Sequence, residues 1–82
     1  MLKLIKHPRK PQTYGERLRH YRTQANITMG QAARYLGIGV AHLSAVERGR
    51  KDPLTPGQTE KIAYLLGIKP SQLTTDKTNV DL

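Results

Sequence analysis

The sequence predicts an all-α domain, a compact bundle of four to five short helices with a basic N-terminal arm. Three observations predict it. The pattern threonine, two residues, then Glu or Gln occurs at Thr13 with Glu16, Thr28 with Gln31 and Thr55 with Gln58, and each copy precedes apolar residues at helical spacing. Asn26, Gly37, Gly49 and Gly67 stand where these stretches stop, and both residue types accept the left-handed conformation that ends a helix. Finally, 82 residues make one small domain, which buries about 60 to 65% of its unfolded surface and leaves no room for a deep substrate cavity.

The elements follow in order. Residues 1–12 carry Lys3, Lys6, Arg9 and Lys10 without an acid, and Pro8 and Pro11 forbid a helix across them, so they form a flexible basic arm. Three readings fit the arm: a solubilising tail, a segment that lies along phosphates, or, from the alternation Leu2-Lys3-Leu4, a short strand that pairs with another chain. The first helix is expected over 14–25, with Tyr14, Leu18, Tyr21 and Ala25 on one stripe and Arg22 at its edge. Asn26 ends it and Ile27 returns to the core.

The second helix runs over 29–36 with Ala32, Ala33 and Leu36 inward, and the third over 40–48 with Leu43 and Val46 inward. Only three residues join them, so the two faces must cross closely, and the small side chains of Ala32 and Ala33 permit it. A charged loop follows, in which Leu54 plugs the core. The fourth helix, over 56–66, opens with proline in its first turn and turns Thr59, Ile62, Ala63 and Leu66 inward. Ile68 and Leu73 bracket a short helical turn begun at Pro70 and Ser71, and 74–82 reads as a flexible tail. The folded domain is thus expected over 13–73.

Ala33, Gly37, Ile38, Leu43, Val46 and the closing Val-Glu-Arg-Gly of 46–49 resemble the helix-turn-helix of the lambda repressor and Cro type. This is the xenobiotic-response-element (XRE) family of bacterial and phage regulators, and with further matches in 14–22 and 53–67 the resemblance covers about 13–73. It implies a lambda repressor-like DNA-binding domain in a cytoplasmic transcriptional regulator of host, phage or mobile-element origin. It further implies a repressor that binds an inverted repeat as a homodimer, and a structural ion pair between Arg22 and Glu47. Tyr64, Leu65, Ile68 and Leu73 leave apolar area that one small core need not cover, which makes them the expected dimer interface. The alternative function is an antitoxin that binds a toxin protein and regulates their shared operon.

Charge supports a polyanionic partner. Lys and Arg number 14 against 6 acids, a formal charge of +8, and double-stranded DNA is the first candidate. There is neither a long apolar run nor a basic helix with a broad apolar face, so no membrane partner is expected, and the start MLKLIK is too short and too interrupted by lysine for a signal peptide. The absence of cysteine excludes disulfides and thiolate metal sites.

Catalysis finds no support. His42 and Ser44 on one helix are about 160° apart at a period of ~3.6, so with Glu47 they form no triad. His7, His20 and His42 have no metal-ligand spacing, and neither a metal nor a cofactor is expected.

With Leu43 and Val46 inward, the third helix offers Val40, Ala41, Ser44, Ala45 and Arg48 to a DNA groove. That face is poor in hydrogen-bonding groups; alanine and valine touch thymine methyls, and Ser44 bonds to several base edges. Thr28, Met29 and Gly30 place backbone N–H groups at the start of the second helix, where they suit a phosphate. His42, Arg50 and Lys51 complete the expected backbone contacts.

Overall fold

The computed structural model describes residues 13–74. They fold as α1 (Tyr14–Gln24), α2 (Met29–Leu36), α3 (Val40–Glu47), α4 (Pro56–Leu66) and α5 (Ser71–Thr74), and the fold is all-helical among the described residues. Each threonine box closes in both directions. At the start of α1 the Thr13 hydroxyl accepts the Glu16 N–H at 3.1 Å, while the Thr13 N–H donates to Glu16 Oε1 at 3.2 Å. The same exchange links Thr28 with Gln31 and Thr55 with Gln58 at 2.9 to 3.1 Å. Each cap satisfies two N–H groups that a helix start otherwise leaves without partners, and is worth about 0.5 to 2 kcal/mol.

Three boundaries differ from the sequence expectation. α1 stops at Gln24, and Ala25 is its exposed C-cap rather than the last residue of the apolar stripe. Asn26, at φ 59°, turns the chain back so that the Ile27 N–H reaches the Arg22 carbonyl at 3.1 Å, and Ile27 packs against the core in place of Ala25. α3 ends at Glu47 with Arg48 as its cap, because Gly49 at φ 78° lets the Arg50 N–H close on the Ala45 carbonyl at 2.8 Å. Thr74, expected at the head of the tail, is the last residue of α5, and its N–H donates to the Pro70 carbonyl at 3.3 Å.

The core joins all five helices. Leu18 of α1, Leu43 of α3, Ile62 of α4 and Leu73 of α5 are wholly buried, and α2 contributes Ala32, Ala33 and Leu36. Each large side chain so placed contributes about 1.5 to 3 kcal/mol of apolar burial. α1 packs on α3 and α5, while α2 packs on α3 and α4.

Two polar links fasten the layers. The Tyr14 hydroxyl and Thr59 Oγ1 share a buried hydrogen bond of 2.8 Å between α1 and α4, and Thr59 also reaches the Leu54 carbonyl at 3.4 Å. Gln72 of α5 donates to the Tyr21 hydroxyl of α1 at 3.3 Å. Burial raises the Tyr14 phenol above its ordinary pKa of 10.0, against the opposing pull of its hydrogen bonds to Thr59 and to the Leu54 backbone.

Candidate nucleic-acid interface

α2 and α3 meet through a turn that their sequence dictates. Gly37, at φ 74°, ends α2 in the left-handed conformation, and the Ile38 N–H folds back to the Ala33 carbonyl at 3.0 Å. Gly39 then opens α3 without a side-chain cap. Ala32 and Ala33 are buried with almost no exposure, as a close crossing of the two helices requires.

The crossing leaves one side of α3 outside. Leu43 and Val46 are buried, whereas Val40 is half exposed and Ala41, His42 and Arg48 are exposed. Ser44 and Ala45 are half-buried, so the outer face presents Val40, Ala41 and Arg48 most fully. At the start of α2, Thr28 and Gly30 are exposed while Met29 packs against the core. The Met29 side chain therefore anchors the helix, and a ligand at this end would meet backbone N–H groups. Thr28, Gly30 and Val40 line one shallow groove with Gln31, Arg34 and Tyr35.

α1 holds the far end of α3 at two points. Arg22 Nε donates to Glu47 Oε2 at 2.7 Å and Arg22 Nη2 to Glu47 Oε1 at 3.1 Å, while Nη1 reaches the Ile27 carbonyl at 2.8 Å. Both side chains are buried, so desolvation offsets much of their attraction; their bidentate geometry fixes direction more than it adds net stability. The second point is Gly15, in the first turn of α1. A Cβ there would collide with the carbonyl oxygen of Glu47 and lie 2.5 Å from that of Val46. The α1 backbone can approach α3 this closely only with glycine. The sequence reading did not single out Gly15; its signal was a glycine inside a well-capped helix, where alanine would be favoured by about 0.5 to 1 kcal/mol.

Beyond α3 the surface opens into a cleft of about 1250 Å³ between the start of α1, the end of α3 and the loop to α4. Its cations are Arg19, Arg48, Arg50 and Lys51, and His42 lies on its wall. Arg48, Arg50 and Lys51 are thus gathered on one surface with the flank of α3. Thr13 lies on the same cleft, so the chain segment bearing Lys3, Lys6, Arg9 and Lys10 joins the domain at its rim; those four residues lie outside the described region.

The expected dimer patch needs one correction. Leu73 is wholly buried in the core of its own chain, because α5 folds back on α1 and inserts it there, so it has no surface to give a second copy. Tyr64 is 82% exposed, and Leu65 and Ile68 are half-buried beside the core.

Known proteins share this fold. A family model for the helix-turn-helix domain matches residues 13–75. The HTH-type transcriptional repressor RghR of Bacillus subtilis is 33% identical over 57 residues, covering 70% of this chain and 42% of its own length. The chain therefore spans about two fifths of the length of that relative. Among solved structures, the restriction-modification controller protein C.AhdI of Aeromonas hydrophila superposes with a TM-score of 0.65 at 30% identity, over 73% of this chain and 89% of that one. Iron(II) HppE in complex with substrate superposes with a TM-score of 0.72 at 30% identity over 89% of this chain, a match confined to 41% of the HppE chain. With the family match extending over most of its length, the chain belongs to the helix-turn-helix domain family.

Proposed function

We propose that the protein is a sequence-specific DNA-binding transcriptional regulator, a repressor that acts as a homodimer on an inverted repeat in the cytoplasm. One observation carries this reading: the exposed face of α3 is anchored from behind by Arg22 and Gly15 and borders the cation-lined cleft. A rigid helix beside clustered cations suits a groove flanked by phosphates. The name of RghR, a transcriptional repressor, points the same way.

In this reading Val40, Ala41, Ser44 and Ala45 meet base edges, with Arg48 at the margin between bases and backbone. Thr28, Met29 and Gly30 hold one phosphate through their N–H groups, and His42, Arg50 and Lys51 line the path of others. The basic arm adds sequence-independent attraction. Tyr64, Leu65 and Ile68 supply the contact with a second copy. Neither catalysis nor a cofactor has a part in it.

The experiment is selection of bound sites from random DNA by the full chain, followed by sedimentation of the complex with the recovered site. An enriched inverted repeat bound by two copies is the expected result. Recovery of random sequence contradicts specificity, and a single copy on a single half-site contradicts the homodimer.

A further inference from the structure

Arg19 lines the cleft from α1, a helix to which the sequence assigns only a scaffolding role. It is exposed and outside the core, yet it lines the same surface as Arg48, Arg50 and Lys51. Three carboxylates line the cleft beside its four cations, Glu16, Glu47 and Asp52, and Glu47 is matched by Arg22. The Glu16 carboxylate is further occupied in capping α1 through the Thr13 N–H.

We propose that Arg19 binds a DNA phosphate, so that the sugar-phosphate backbone of one strand runs through this cleft and is held from α1 as well as from the loop after α3. The inference rests on the DNA-binding reading above and extends the interface from α3 and its loop onto α1. Two features favour a strand over a small anion. The cleft is open and, at about 1250 Å³, larger than the roughly 300 to 1,000 Å³ pockets that enclose drug-sized ligands. Arg48 belongs both to the outer face of α3 and to the cleft, so a strand bordering the groove that α3 enters passes directly from one to the other. A guanidinium at position 19 offers paired N–H donors suited to phosphate oxygens.

The test uses the full chain and a short mixed-sequence DNA duplex, because phosphate contacts do not depend on sequence. Affinity is measured across a salt series for the unaltered protein and for Arg19→Ala, Arg19→Lys, Arg48→Ala, Arg50→Ala and, as a charge control outside the cleft, Lys69→Ala. Each phosphate neutralised contributes about 0.9 to the slope of log affinity against log salt. Arg19→Ala is expected to lower the slope by about that amount and to weaken binding roughly eightfold at ~0.1 M salt, with an unchanged melting temperature. Arg19→Lys should keep most of the slope, and Lys69→Ala nearly all of it.

If Arg19→Ala leaves the slope unchanged while Arg48→Ala or Arg50→Ala reduces it, the inference is wrong and the DNA-binding reading stands. Equal losses from Arg19→Ala and Lys69→Ala reduce the effect to net charge and also overturn it. If none of the cleft variants alters the slope, the placement of DNA on this surface fails as well.

Discussion

Arg22 in α1 and Glu47 at the end of α3, 25 positions apart in sequence, face each other through two charge-assisted hydrogen bonds at 2.7 and 3.1 Å. Truncating one partner leaves the other charge buried. Arg22→Ala is therefore expected to cost about 3 to 5 kcal/mol in chemical denaturation. Combining it with Glu47→Gln should recover part of that loss, and strictly additive losses in the double-mutant cycle would show that the two residues are not coupled.

Gly15 makes a second, independent claim on the same junction. In an unconstrained helix Gly→Ala stabilises by about 0.5 to 1 kcal/mol. Here the added methyl meets the carbonyls of Val46 and Glu47, so Gly15→Ala should destabilise by about 1 to 3 kcal/mol as α1 and α3 are forced apart. A gain in urea midpoint would mean that the helices do not approach so closely.

Leu73 and Tyr64 separate the core from the proposed dimer contact. Leu73→Ala is expected to lower stability by about 2 to 5 kcal/mol at any protein concentration, since it opens a cavity inside one chain. Tyr64→Ser should leave stability nearly unchanged in dilute solution and weaken self-association. Sedimentation and thermal melting over a concentration series distinguish the two; a concentration-dependent effect of Leu73→Ala alone would restore it to the interface.

The Tyr14 phenol gives the fold an alkaline limit. Its pKa in the folded chain lies above the unfolded value of 10.0 because burial disfavours the phenolate. Above pH 10 the unfolded chain ionises Tyr14 while the folded chain still holds the proton, so this contribution is complete below the unfolded pKa and is lost as pH rises through the folded one. Stability measured between pH 9 and 11 should fall less steeply in Tyr14→Phe than in the unaltered protein. Equal slopes would remove Tyr14 as the cause.

Much of the fold was legible because its signals are local. The three threonine boxes, Asn26 and the glycines at 37, 49 and 67 act within four or five residues of where they stand, and the expected bounds of α1 to α4 hold to within a residue. What escaped depends on neighbours distant in sequence. Gly15 has meaning only because residues 46 and 47 pass beside it, and Arg19 joins the basic cleft only because α1 lies across the end of α3. Leu73 looked like spare apolar surface because nothing near it in sequence says that α5 folds back onto α1. The α3 face followed from helical period alone, although period could not foresee how far Ser44 and Ala45 would be covered.

The central claim is that the outer face of α3 meets DNA, and Ala41 tests it most directly because it is exposed there and supports nothing beneath it. Ala41→Glu introduces a carboxylate where base edges and phosphates should lie. Binding to the DNA recovered by selection should then fall by roughly a hundredfold or more, about 2.7 kcal/mol or more, while the melting temperature stays nearly unchanged. Undiminished affinity in a folded Ala41→Glu protein would contradict the account and place the DNA on another surface.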